Sequence, residues 1–143
     1  GARLMETGID FAGIARAMFD TRSQSYIALQ AAVMQDLRIQ RVDGLAVAVA
    51  RAPKNLRDRW QVPFTDVESL IDAVRTVEGI DVAVVLKEDD QGRWRVSTRS
   101  LGRADVGAAC TRVGGGGHRL AAGFTGSANA DDTLADFLQA LAA

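Results

Sequence analysis

The sequence predicts a single α/β domain, in which helices flank a mixed β-sheet of about five strands and a helical segment precedes them. Its 143 residues are 48% hydrophobic, which is enough to build one proper core. Apolar runs of strand length alternate along the chain with segments of helical period. The resulting order, αα-ββ-α-ββ-α-β-α, is typical of helices packed on a sheet.

Residues 1–37 are predicted to be helical and to form a linker between domains. Asp10 is a suitable N-cap, and apolar residues recur behind it at spacings of three and four. The first apolar stripe consists of Phe11, Ile14, Ala15, Met18 and Phe19. The second consists of Tyr26, Leu29, Val33 and Leu37. Because both stripes are amphipathic, packing on this domain's own core is favoured over a role in oligomerisation.

The domain itself is predicted to span residues 38–143 and to begin with a hairpin. Asp43-Gly44 separates two apolar runs, and this dipeptide favours a tight hairpin turn. Thr65 and Glu68 have the T-x-x-E spacing of a capping box, which predicts that a helix starts there and that Gly79 ends it.

The second half of the chain is expected to supply the remaining strands. Residues 82–86 are apolar at every position, which is typical of a central strand covered on both faces, whereas residues 94–100 alternate. Asp105 is expected to cap a short helix that the glycines after it end. A further strand and a last helix, over 132–141, complete the sheet and its cover.

Basic charge is concentrated in one window of the sequence. Residues 93–119 hold six arginines and one acid, although the whole chain has a net charge of -1. Alternation places Arg95, Ser97 and Arg99 on one face of the predicted strand. Because the arginine fork matches phosphate oxygens, this face could bind a phosphate. A solvated strand face would give the same pattern, so both interpretations stay open at this point.

A run of four glycines follows, at 114–117, and leads into His118. Such a run is tolerated where the backbone needs positive φ or where a ligand approaches its N–H groups, as in an anion-binding nest. If a helix began at 119–122, its free N–H groups would point to the same place. The spacing matches neither the dinucleotide-binding nor the P-loop pattern. A flexible loop with a surface histidine is the plain alternative, but the flanking arginines favour a site.

Three segments together resemble a known family. Ser-Thr-Arg-Ser at 97–100, Asp105-Val106 and Gly-Gly-Gly-Gly-His-Arg-Leu-Ala-Ala-Gly-Phe at 114–124 resemble the DHH-associated C-terminal domain of DHH-family phosphoesterases. The resemblance is strongest to the bacterial bifunctional oligoribonucleases that are also 3'-phosphoadenosine-5'-phosphate (pAp) phosphatases. It implies that the substrate's phosphate and terminal nucleotide are bound by Ser97, Arg99, Ser100, Gly115, Gly116, Gly117, His118 and Arg119. Gly107 departs from the family pattern, because relatives often carry asparagine there.

The resemblance also implies a division of labour between two domains. A separate N-terminal DHH domain would carry two Mn²⁺ ions. This chain has no D-H-H or D-x-D motif and a single histidine, so we expect no catalytic residue, metal site or cofactor in it. We therefore expect a fragment that binds short single-stranded RNA or a nucleotide without hydrolysing it, beside the DHH domain of the same chain.

Two other functions remain open from the sequence. A cyclic di-AMP phosphodiesterase of the same family would carry the same motif. A non-catalytic nucleic-acid-binding or dimerisation module, similar to the C-terminal part of alanyl-tRNA synthetases, would be a different class, and a homodimer is possible. No apolar run approaches the roughly 18 residues of a membrane span. The single cysteine, Cys110, fits a reducing compartment, so we expect a cytoplasmic protein.

Overall fold

The computed structural model describes residues 8–16, 21–126 and 129–143. The helices are α1 (Phe11–Ala15), α2 (Gln24–Gln35), α3 (Lys54–Trp60), α4 (Leu70–Val74), α5 (Val106–Arg112) and α6 (Ala130–Ala142), with a 3-10 helix over Phe64–Ser69. The strands are β1 (Arg38–Val42), β2 (Leu45–Ala52), β3 (Val82–Glu88), β4 (Trp94–Ser100), β5 (Gly116–His118) and β6 (Ala121–Gly126).

The six strands form one mixed sheet in the order β1-β2-β3-β4-β6-β5. Asp43-Gly44 joins β1 to β2 as an antiparallel hairpin, as predicted. Strands β2 and β3 are parallel, and every other neighbouring pair is antiparallel. The α/β class is therefore confirmed, but the sheet has six strands rather than about five. The additional strand, β5, lies in the glycine run, where the sequence suggested a loop.

Helices cover the two faces of the sheet unequally. On one face, α5 and α6 pack over side chains from every strand between β2 and β6, including Val84, Val96 and Phe124. On the other face, α2 and α4 pack over the alanines and valines of β2 and β3. That second face continues across β4, β6 and β5 as exposed or half-buried residues. It is the part of the sheet on which a ligand has access.

Helix α2 belongs to this packing, whereas α1 buries none of its side chains. Tyr26, Leu29 and Val33 of α2 are buried in the same cluster as β2 and β3. Phe11 and Ile14 of α1 are 47% and 49% exposed. The apolar stripe predicted at Met18 and Phe19 lies outside the described residues. The division at residue 37 stays a prediction.

The capping box predicted at Thr65 and Glu68 is wrong. Residues 64–69 form a 3-10 helix, and the α-helix begins only at Leu70 without a side-chain cap. Glu68 instead extends its carboxylate to Lys87 on β3, at 3.2 Å. The ion pair with a lysine far along the chain replaces the local bond that the sequence suggested.

None of the helices in the described parts of the chain is long and apolar enough to cross a bilayer.

Candidate functional site

Strand β4 presents its polar side chains on the face that α5 and α6 do not cover. Ser97 lies opposite Val85 of β3 and Gly123 of β6, and Arg99 lies opposite Ala83 and Ala121. Opposed residues of neighbouring strands share a face, and Val85 and Ala83 belong to the α2 and α4 side. The predicted alternation is therefore confirmed, because Val96 and Thr98, which alternate with Ser97 and Arg99 along β4, are buried on the other side.

The strand register brings His118 onto the same row as Arg99. Ala121 of β6 pairs with Arg99 on one side and with His118 on the other. Two interstrand spacings separate the backbones of Arg99 and His118 by about 9–10 Å. Because Ala121 is the only residue between them in that row, one small ligand lying across β6 can touch both side chains.

The next row of residues across β4, β6 and β5 contains only small residues. Ser97, Gly123 and Gly116 lie opposite one another across β4, β6 and β5. Beside them is an open cavity of about 460 Å³ whose lining residues include Lys87, Arg95, Ser97 and Arg99. Small residues of β6 thus form a floor, with cationic and hydroxyl groups along the β3 and β4 side of it.

The charges lining this cavity are predominantly positive. Among the described residues, the carboxylate that pairs with Arg95 is Asp89, at 3.9 Å, and Asp89 also holds Arg93 at 2.9 Å. Arg99 donates to the carbonyl of its neighbour Thr98, and among the described residues no carboxylate pairs with it. The cavity can therefore attract an anion with arginine donors that are not neutralised.

Lys87 is a site residue that the sequence analysis missed. Its side chain is only 3% exposed, and its Nζ donates to Ser97 Oγ at 2.6 Å and to Glu68 Oε2 at 3.2 Å. Burial lowers the pKa of Lys87 below its ordinary value, while the negative charge of Glu68 opposes that shift. A lysine ending the apolar run of β3 was the available signal, but only the register shows that it lies beside Ser97.

The glycine run ends helix α5 before it becomes a strand. Gly114 has φ of +89°; its N–H donates to the carbonyl of Thr111, and the N–H of Gly115 donates to that of Cys110. These two bonds form a Schellman motif. The helix considered at 119–122 is wrong, because a turn and strand β6 occupy those positions. The amides of Gly114 and Gly115 are thus engaged in the fold, and residues 119–122 provide no helix N-terminus at the site.

The fold requires a glycine at two of the three predicted glycine positions but not at the third. A Cβ at Gly115 would lie 2.2 Å from the carbonyl oxygen of Gly123, and one at Gly117, where φ is +139°, would lie 2.5 Å from Ala122 Cα. A Cβ at Gly116 would meet nothing within 4 Å. Neither packing nor the backbone explains the missing side chain of Gly116, which is consistent with close approach by a ligand.

Two other predicted residues lie away from this face. Ser100 is 6% exposed on the opposite side of β4, and its Oγ accepts the N–H groups of Gly102 and Ala104. Arg119 is exposed in the β5–β6 turn and donates to the carbonyl of Gly102. Both side chains support the loop after β4 and are not brought together with Arg99.

Gly107, the departure from the family pattern, lies against the backbone of the site. A Cβ there would be 2.8 Å from the carbonyl oxygen of His118. Helix α5 therefore approaches the β5–β6 hairpin too closely for an asparagine, unless the backbone shifts.

The donor set does not fit the two-manganese centre of the resembled family. Within the ranges that the structure describes, no three His, Cys, Asp or Glu side chains gather at a place that could hold a metal. The carboxylate of Asp89 stabilises a turn and is not available as a metal ligand. It accepts the amides of Gln91 and Arg93 in the turn before β4, and although burial opposes ionisation, these bonds hold its pKa below the ordinary value.

Comparisons with known proteins identify the domain family and the fold. The family model described as the DHHA1 domain matches residues 44–143. An exopolyphosphatase-related protein from Bacteroides fragilis shares the fold, with a TM-score of 0.83 and 23% identity over 98% of this chain and 41% of that one. The pGpG-specific phosphodiesterase PggH from Vibrio cholerae has a TM-score of 0.50 and 9% identity over 82% of this chain and 39% of its own. The chain thus spans about two fifths of each of these two structures.

Proposed function

Because this chain belongs to the DHHA1 domain family, we propose that it is the substrate-recognition domain of a DHH-family phosphoesterase. It binds the phosphate and the terminal nucleotide of short oligoribonucleotides and of pAp. The reacting phosphate ester, a diester in the oligoribonucleotide and a monoester in pAp, is presented to a DHH domain of the same chain, which supplies the Mn²⁺ ions. Holding the substrate in this way contributes to catalysis, because positioning lowers the barrier that the metal centre must overcome.

One observation carries the proposal: Arg99 and His118 lie in one row of the sheet face, with only Ala121 between them. A guanidinium and an imidazole on opposite sides of a flat floor can donate to the same phosphate. Gly116, in the adjacent row, leaves the backbone open for a ribose or phosphate to lie close. The similarity in fold to PggH, a pGpG-specific phosphodiesterase, supports a linear dinucleotide as the kind of substrate.

One further feature supports the cellular setting proposed. Cys110 is a free, buried thiol, and burial raises its pKa, so it acts as a small core residue. We place the protein in the cytoplasm, because a free thiol suits a reducing compartment.

Calorimetric titration of the chain with a 5'-phosphorylated diribonucleotide tests the proposal. Arg99→Ala and His118→Ala should each weaken binding by about 1–3 kcal/mol, the cost of a charge-assisted hydrogen bond left unmade. Arg41→Ala is the matched control, because Arg41 is exposed on β1 at the opposite edge of the sheet. Wild-type affinity in both site variants would reject the site.

The same titration with pAp and with cyclic di-AMP separates the alternatives. Binding of pAp and the linear dinucleotide at similar strength supports the proposed substrate class. Preference for cyclic di-AMP would replace it with the cyclic-dinucleotide alternative. Affinity for the linear dinucleotide should also fall as salt rises, because phosphate contacts release counterions.

A further inference from the structure

The Lys87–Glu68 pair is a second feature of the cavity, and neither the family motif nor the proposed phosphate ligands account for it. An ammonium at 3% exposure is costly in a strand whose five preceding residues are all apolar and buried. The ammonium of Lys87 donates a hydrogen bond to Ser97 and pairs with the carboxylate of Glu68. Lys87 also lines the open cavity. The lysine therefore faces the space where the substrate is proposed to bind.

We infer that Lys87 binds a phosphate oxygen of the substrate and that the carboxylate of Glu68 occupies that oxygen's place until the substrate displaces it. This inference rests on the proposed function and adds two residues to its site. Lys87 is then a ligand-binding residue. Glu68 competes with the substrate's phosphate for Lys87 and so lowers the affinity of the cavity for anions.

The position of Glu68 allows its carboxylate to be displaced from Lys87. Its side chain is 63% exposed and stands on a 3-10 helix in which it makes no capping bond. An exposed carboxylate is solvated again when it returns to water, and the buried ammonium that it leaves is paired at once by the incoming phosphate. Glu68 can therefore leave Lys87 without disturbing the core.

The cavity favours a phosphate in the place of the carboxylate. Arg95 and Arg99 lie on the same face as Lys87, and both disfavour its charged form. A terminal phosphate carries a charge of about −1.5 to −2 at pH 7 with three acceptor oxygens, more than one carboxylate offers. It can accept from Lys87 and an arginine at once, so the exchange leaves the ammonium paired and neutralises a second cation.

A set of three variants of the full chain, two single and one double, tests this exchange, with the 5'-phosphorylated diribonucleotide as the probe in calorimetry. Lys87→Met should weaken binding on the order of tenfold or more, since a charge-assisted hydrogen bond is lost. Glu68→Gln should tighten binding about threefold to tenfold, because the phosphate then has no carboxylate to displace from Lys87. In the Lys87→Met background, Glu68→Gln should bring no such gain, because its competition acts through Lys87.

Lys54→Met and Glu78→Gln are the matched controls, as Lys54 lies on α3 and Glu78 is exposed in the turn after α4. Neither should change the affinity. Circular dichroism and thermal unfolding report whether Lys87→Met folds; if it does not, Glu68→Gln alone decides, because its exposed side chain can be changed without harm to the core.

The outcomes separate this inference from the proposed function. Unchanged or weaker binding in Glu68→Gln overturns the exchange, and so does wild-type affinity in a folded Lys87→Met variant. If Arg99→Ala still weakens binding in either case, the phosphate site stands and only the role of Lys87 and Glu68 is lost. If Arg99→Ala and His118→Ala also bind normally, the proposed function fails as well.

Discussion

Replacing Gly116 by alanine should separate ligand binding from folding. Nothing lies within 4 Å of a Cβ at this position, and its φ is not in the positive range. An alanine that the native backbone accepts stabilises a protein by about 0.4–1 kcal/mol, because the unfolded chain loses conformational freedom. The free energy of unfolding should therefore stay equal or rise by that amount.

The neighbouring glycine provides the contrast. Gly117 has φ of +139°, and a Cβ there would lie 2.5 Å from Ala122 Cα. An L-residue in such a backbone conformation costs about 1–3 kcal/mol, and the steric overlap adds to that cost. Gly116→Ala and Gly117→Ala should thus change stability in opposite directions and differ by about 2 kcal/mol or more.

Binding should respond to Gly116→Ala even though stability does not fall. Gly116 lies opposite Gly123, which in turn lies opposite Ser97, so the added methyl group projects over the floor of the site. Urea denaturation gives the two stabilities, and calorimetry with the 5'-phosphorylated diribonucleotide gives the affinity. A loss of stability like that of Gly117→Ala would refute the steric reasoning. A stable variant with wild-type affinity would refute the claim that the open backbone serves the ligand.

Two further substitutions test the core and the electrostatics. Phe137 is fully buried and stacks on Phe124 with ring centroids 5.9 Å apart, so Phe137→Ala should cost about 3–5 kcal/mol in urea denaturation; a cost under 1 kcal/mol would contradict the packing. The N–H of Ala46 and the guanidinium of Arg103 hold the pKa of Asp81 below its ordinary value. That carboxylate therefore stabilises the fold above the unfolded pKa near 4 and loses its contribution as the pH falls. Asp81→Asn should make acid unfolding less steep, whereas an unchanged pH dependence would argue against this role.

The features that the sequence predicted correctly are set by neighbouring residues. Asp43-Gly44 makes the hairpin because its dihedral preferences suit a tight turn, whatever the rest of the chain does. Asp105 caps α5 by accepting the N–H of Ala108 at 2.9 Å, three residues away. The alternation of β4 needs only the two-residue period of a strand. In each case the physical cause lies within a few residues of its effect.

The incorrect predictions concern contacts between distant parts of the chain. The T-x-x-E spacing at Thr65 and Glu68 is a capping signal, yet Glu68 pairs with Lys87 of β3, an attraction that no local pattern shows. The glycine run carries loop signals, yet β6 offers it a pairing edge and it becomes β5. The binding role of Ser100 stays a prediction, and its hydroxyl accepts the amides of Gly102 and Ala104, two and four residues further along the chain.

The strand register also explains why the motif residues could be found while their common site could not. Arg99 and His118 belong to strands separated by β6, so their proximity depends on Ala121 pairing with both. A shift of one residue between β4 and β6 would carry Arg99 to a different row, and a shift between β6 and β5 would move His118 to the opposite face. The bond from Thr98 Oγ1 to the carbonyl of Ala122, at 2.9 Å and buried, fixes the first of these registers. The proposed binding therefore depends on a core hydroxyl on the opposite face of the sheet as well as on the arginine and the histidine.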